Sequence, residues 1–376
     1  MIVDLPSTSS TEVNKRLVTM RQDVGALALS RVLTLVVVVD AEDEAEAAVA
    51  LAGEASHQHP CRIVTVVTGN RRGAARMDAQ IRVGGDAGAS EIVLLRLYGP
   101  LAGHARSVVI PLLLPDSPVV VWWPGAPPKD PASDPIGQMA QRRITDLARA
   151  PRPASAMKQL AQHYSPGDTD LAWSRITRWR GLLATALDRR PFEPVEAAVV
   201  AGASDSPSTD LLAGWLQHRL RCPVTIVRSA DRSGIVSVRL ERRSGNVDLV
   251  RPHDGDTATL DQPGQPQRAL ALAHRSDAES LADELSRLDP DEIYDQALRK
   301  GLPQVTRSRS SMADAVRRGD APSVSASREA AARIAKRSGR RGSSAMVEAE
   351  PEAASSEPET VHEAAAERLQ AKREED

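Results

Sequence analysis

RVLTLVVVVD, residues 31–40, carries apolar residues at consecutive positions, without the alternation of a half-buried strand. Such a β-branched run reads as a strand covered on both faces, the usual state of a strand in a parallel sheet. RIVTVVTG (62–69) repeats the pattern, and the Ala- and Glu-rich AEDEAEAAVALAGEA (41–55) between them is a strong helix former, so the three segments predict a βαβ unit. EIVLLRLYG (91–99) and PVVVWW (118–123) predict further strands. HARSVVIPLLL (104–114) predicts a crossover helix up to Pro111, and IGQMAQRRITDLARA (136–150) a helix after the last strand. Residues 1–150 are therefore expected to form an α/β domain with a Rossmann-like parallel sheet.

A proline-rich linker is expected at 151–165 and a second α/β domain at 166–302. Asp168 or Thr169 is placed to cap a helix through LAWSRITRWRGLLATALD, whose stripe Ala172, Ile176, Trp179, Leu183 and Ala186 marks the core side. VEAAVVAG, PVTIVRS, GIVSVRLE and NVDLVRP predict strands of a partly antiparallel sheet, and SDAESLADELSRLDPDEIYDQALRK closes the domain as helix. From 307 to 341 ten basic residues face three acidic ones, and from 348 to the end ten acidic face three basic. With no aromatic after Tyr294, residues 303–376 are expected to be a disordered charged tail.

The 376 residues carry a formal net charge of −2, which gives no global attraction to nucleic acid or anionic lipid. Cys61 and Cys222, far apart in sequence, build no disulfide framework, and the first residues lack a basic segment followed by an apolar one. The longest apolar region is broken by prolines and Asp116, so the expectation is a cytoplasmic protein that spans no membrane. Arginine far outnumbers lysine, and Ala, Pro and Gly are abundant, which suggests a GC-rich bacterial genome.

Searching for chemistry gives mostly exclusions. The loop after the first strand, VDAEDEA, has four carboxylates and no glycine, the opposite of a pyrophosphate loop, and neither a Walker A motif nor G-x-S-x-G occurs. GGDAG (84–88) precedes a strand and reads as a turn. His57, His59 and Cys61 alternate like metal ligands, but no fourth ligand is evident and a structural loop is favoured, so neither metal nor cofactor is expected. Gly103, His104 and Arg106 in LYGPLAGHARS open the expected crossover helix and are the candidates for holding a small anion. That loop supports the alternative reading of a sugar-phosphate-binding enzyme or sensor. Redox control through either cysteine is a third, without a C-x-x-C to support it.

Aromatics make up only 2% of the chain, so each tryptophan is informative. Neighbouring residues on a strand point to opposite faces, and one of Trp122 and Trp123 is expected either to face a partner or to cover a second packed face. Trp173 and Arg180 lie beside the apolar stripe, and Arg175 and Arg178 on the opposite flank, so all four join the tryptophan pair as candidate partner-binding residues.

AGASEIVLLRLYGPLAGHARSVVIPLLLPDSPVVVWWPG and GDTDLAWSRITRWRGLLATALD together resemble the OpcA family, the glucose-6-phosphate dehydrogenase assembly proteins of actinobacteria and cyanobacteria. The resemblance runs from the N-terminus to about DPDEIYDQAL and leaves the tail uncovered. It implies a non-catalytic, cytoplasmic assembly factor and allosteric activator that binds glucose-6-phosphate dehydrogenase in support of the oxidative pentose phosphate pathway.

Overall fold

The computed structural model describes residues 1–23, 32–69, 71–84, 90–190, 192–230, 234–252 and 255–345, with 337–345 in backbone alone. Two units are distinguished, Met1–Ala331 and Ala332–Asp376, and both sheets belong to the first.

The chain begins with β1 (Ile2–Leu5), α1 (Ser10–Asp23), β2 (Leu33–Val39), α2 (Glu42–Ala55), β3 (Cys61–Val67), β4 (Arg76–Val83), β5 (Glu91–Tyr98), α3 (Ala105–Val109), β6 (Val119–Trp123), β7 (Arg142–Thr145), α4 (Pro153–Gln162) and β8 (Asp168–Asp170). Its eight strands form one sheet in the order β1-β4-β5-β3-β2-β6-β7-β8. β5, β3, β2, β6, β7 and β8 are parallel, and the antiparallel pairs β5–β4 and β4–β1 close one edge. The run that predicted a doubly covered strand becomes β2, at the centre of the sheet. From β2 the chain adds β3 on one side and later β6 on the other, which makes the carboxyl ends of β2 and β6 the topological switch point.

The second half contains α5 (Leu171–Arg175), α6 (Thr177–Leu187), β9 (Ala197–Gly202), α7 (Pro207–Leu220), β10 (Val224–Arg228), β11 (Ile235–Glu241), β12 (Val247–Val250), β13 (Thr257–Asp261), β14 (Arg268–Ala271), α8 (Asp277–Leu285), α9 (Glu292–Asp295), β15 (Thr306–Ser311), α10 (Met312–Arg318) and α11 (Val324–Ala345). The sheet order is β14-β13-β12-β11-β9-β10-β15, parallel across β9, β10 and β15 and antiparallel elsewhere, so the expected mixed sheet is present. All five residues of the stripe from Ala172 to Ala186 are buried in its core.

Several local expectations are corrected. The crossover before β6 is a short α3 between two 3₁₀ segments, Gly99–His104 and Ile110–Leu112, because Pro100 and Pro111 bracket it. IGQMAQRRITDLARA is no helix: its middle is β7, paired with β6 and β8, so Ile144 earns its burial in the sheet. The expected linker contains α4, which buries Met157 and Leu160. The cap of the following helix is Asp170, whose side chain accepts the Ala172 N–H, and the helix is broken at Ile176 into α5 and α6.

The fold also continues past residue 302. β15 pairs in parallel with β10, while Met312, Ala315 and Ala321 bury themselves against Val199, Ala201, Val227 and Val236 on the outer face of the second sheet. A few small apolar residues suffice here because the sheet supplies the other half of the contact. Residues 85–88 of the glycine turn and the acidic segment from 348 lie outside the described residues.

Candidate partner-binding site

The adjacent tryptophans end β6 at the switch point. Trp123 packs with Val13, Leu17 and Ile136 on one face of the sheet, and Trp122 packs with α2 and with Leu281 and Leu285 of α8 on the other. They are 5% and 1% exposed, so both faces are covered and neither indole is a surface anchor. The Trp122 Nε1 finds no hydrogen-bond partner among the described residues.

Beside Trp123 lies a cleft of about 520 Å³ that Gly103 and Arg106 help to line. Asp40, Glu44 and Asp134 line it too, a carboxylate content that opposes an anion, and α3 is too short to add a helix dipole. Arg106 donates to the Gln138 side chain at 3.1 Å, and His104 is exposed. Among the described residues no group of three His, Cys, Asp or Glu side chains is placed to hold a metal ion. No helix among them is long and apolar enough to cross a membrane.

The other candidates cluster where α5 and α6 meet α8. Asp170 ends β8, accepts the Thr145 hydroxyl at 2.6 Å and the N–H groups of Leu147 and Ala172 at 2.9 and 2.8 Å, and is fully buried. Burial, reinforced by the nearby Asp146 carboxylate, pushes its pKa up. Asp146 is itself held by Arg175, which donates to its two oxygens at 2.8 and 2.9 Å and to Asp277 at 2.7 Å. Arg175 is thus spent on pinning α8 to the end of β7, and its pKa is raised by these carboxylates. Arg178 is exposed and 3.6 Å from Glu279.

Trp173 is 2% exposed, not the surface residue its offset from the stripe suggested. The chain turns at Ile176, and α8 and α9 fold over the flank that a lone helix would leave open. Its Nε1 donates to Asp291 at 2.8 Å, and Asp291 also caps α9 through the N–H groups of Ile293 and Tyr294. The only Phe, five Trp and three Tyr make up the aromatics of the chain, and three of them form one row. Trp173 and Tyr294 are 5.8 Å apart between centroids, and Tyr294 and Tyr164 are 6.2 Å apart. Arg180 lies 3.6 Å over Trp173 at one end of the row and Arg299 4.8 Å over Tyr164 at the other.

Arg180 forms no ion pair among the described residues. Its Nη2 donates to the Thr177 hydroxyl at 3.2 Å, and its Nε has no partner. Desolvation pushes its pKa down to about 10. Beneath it, Arg142 of β7 and Glu284 of α8 form an ion pair, 2% and 4% exposed, whose carboxylate also accepts the Ser174 hydroxyl at 2.6 Å. Nothing in the sequence marks Arg142, Glu284 and Arg287 directly, and Asp291, which reads there as part of a solvated helix face, instead holds the Trp173 indole and caps α9. The one local signal is the S-D-x-E capping box that starts α8 at Ser276 and so fixes which helical residues face β7.

A model of the glucose-6-phosphate dehydrogenase subunit N-terminal domain matches residues 52–162, and one of the C-terminal domain matches 166–298, together more than half of the chain. The chain belongs to the OpcA family. The "Putative OxPP cycle protein OpcA" of Synechocystis sp. (strain ATCC 27184 / PCC 6803 / Kazusa) is 28% identical over 144 residues, which cover 35% of this chain and 29% of that protein. The match therefore spans less than a third of the relative's length. Among solved structures, similarity extends to trehalose-6-phosphate from E. coli bound with UDP-2-fluoro glucose, at 12% identity and a TM-score of 0.21 over 53% of this chain and 65% of that one. It extends also to "a putative oxidoreductase from Magnetospirillum magnetotacticum MS-1", at 13% identity and a TM-score of 0.29 over 73% and 99%. At these scores neither carries an argument about this chain.

The two OpcA domain models part between α4 and β8. β8 nonetheless pairs with β7 in the first sheet, and α8 packs on α2, so the C-terminal family domain completes the N-terminal one. The charged cluster around Trp173 sits on that seam.

Proposed function

We propose that this chain is a non-catalytic partner of glucose-6-phosphate dehydrogenase that binds the enzyme and favours its active oligomeric state, in support of the oxidative pentose phosphate pathway. Membership of the OpcA family carries the reading, since its domain models are described as subunit domains of that dehydrogenase. The arrangement of side chains is in keeping with it: Arg142, Glu284, Arg175, Asp146 and Asp277 at the seam are held in ion pairs within the chain, as in a scaffold. To activate, the protein must bind the competent dehydrogenase more tightly than the incompetent one, because equal affinity shifts no equilibrium. A coupling of about 1 to 3 kcal/mol would be ordinary for such an effect. Reciprocity then makes ligands that favour the active enzyme tighten the complex.

The test is to add the purified chain to the dehydrogenase of the same cell, following turnover and mass together. A saturable rise in turnover with a larger complex is expected. Unchanged turnover and no complex would refute the reading.

A further inference from the structure

Arg180, Arg287 and the residues beneath them frame a slot of about 360 Å³ at the seam, open to solvent. Its carboxylates already have partners within the molecule. Asp283 accepts from Arg275, Glu284 from Arg142 and Ser174, and Asp291 from the Trp173 indole and two backbone N–H groups. The guanidiniums do not balance them in the same way: Arg180 and the exposed Arg287 make no ion pair among the described residues. The lining side chains balance at three guanidiniums, Arg142, Arg180 and Arg287, against three carboxylates, Asp283, Glu284 and Asp291; Arg275, which pairs with Asp283 from outside the lining, brings the cluster to one net positive charge.

The geometry suits an oxyanion. The Arg180 guanidinium carbon lies 3.6 Å over the Trp173 ring, so one face of the group is covered; Nε is buried and Nη2 donates to Thr177, which leaves the Nη1 side for a planar acceptor, the shape of a carboxylate. The platform is fixed in advance, since Asp291 holds the indole nitrogen and Tyr294 packs beside the ring, so little order is lost when a ligand docks. Arg287 also lines the slot and repels Arg180, and a negative group between them would offset that repulsion.

We propose that this slot receives one carboxylate side chain, an Asp or Glu, from the protein partner. A single negative charge matches the single excess positive one, whereas a phosphate dianion overshoots it and meets the Asp283 and Asp291 oxygens. The proposal takes the partner from the dehydrogenase reading and adds the chemistry of one contact.

Two measurements separate the two ideas. In the first, affinity for the dehydrogenase is measured for wild type, Arg180→Gln and Arg287→Gln, alongside melting temperatures. Each variant is expected to weaken binding about tenfold or more with its melting temperature nearly unchanged, as for a central arginine anchor. Arg287, being exposed, keeps the test valid if the Arg180 variant is unstable. Wild-type binding with both variants unimpaired would overturn the slot and leave the dehydrogenase reading intact.

The second measurement needs no dehydrogenase. The Arg180 Nε–H NMR signal is followed while the whole protein is titrated with N-acetylglutamate α-amide or with inorganic phosphate. A saturable shift with the carboxylate and a weaker one with phosphate is expected, even if the dehydrogenase does not bind. Equal shifts, meaning an adventitious ion only, or no shift with the carboxylate would overturn the proposal.

Discussion

Replacing Glu284 by Gln removes one charge from the seam and leaves the shape almost unchanged. In the wild type its carboxylate holds Arg142 and the Ser174 hydroxyl, and among the described residues Arg142 donates elsewhere only to the Asp289 carbonyl, at 2.9 Å. Arg142 is 2% exposed, so water cannot take the place of the lost charge. Stripping one partner from a buried ion pair typically costs about 3 to 5 kcal/mol, because the remaining charge stays desolvated. For a unit of this size that corresponds to a fall of about 4 to 7 °C in melting temperature. Denaturant titration should show the midpoint falling at unchanged slope, as expected when stability changes and compactness does not. The double variant Arg142→Met, Glu284→Leu should recover most of the loss, since an apolar pair of similar volume has no charge to desolvate. A Glu284→Gln loss below about 1 kcal/mol, or a double variant equal to the sum of its singles, would refute the view that charge compensation holds the seam.

Three further outcomes are expected. The raised pKa of Asp170, to about 7, means the folded state favours the protonated acid. Its stabilisation is complete below the ordinary carboxylate pKa of about 4 and is lost as pH rises towards the folded value, so the stability of wild type relative to Asp170→Asn should fall across that interval and then level off. A flat difference between the two melting curves would count against it. A chain ending at Gln304 should melt earlier than the full chain, and Met312→Ala alone should cost about 2 kcal/mol by thermal unfolding, the low end for a buried methionine at a rim. An unchanged melting temperature in both would show that β15 and α10 do not dock. Gly301→Ala should be strongly destabilising, because its Cβ would lie 1.9 Å from the Gly214 carbonyl oxygen where α7 meets the following turn. Wild-type stability in that variant would contradict the close approach.

The sequence by itself determined what local periodicity and composition can fix. The uninterrupted Val and Leu runs gave β2 and β3 and the Ala- and Glu-rich segment gave α2, because burial on both faces suppresses alternation and small unbranched side chains favour helix. The 3.6-residue spacing from Ala172 to Ala186 marked a core stripe that the structure buries, and the two long motifs marked the family. The side a strand or helix turns inward is local information, but what covers its other side is not. Trp122, Trp123 and Trp173 are buried by elements distant in the chain, such as α8, whose approach no spacing around the tryptophans encodes. Arginine pairing is equally non-local: Asp277 claims Arg175 across 102 positions, while Arg180, five residues further on, makes no ion pair among the described residues. Residues 306–321 look too polar to fold because their few apolar side chains gain their burial only from the sheet face they cover. Tertiary structure decided which charges are spent and which are left to bind, because compensation depends on distances of a few ångströms between groups far apart in the chain.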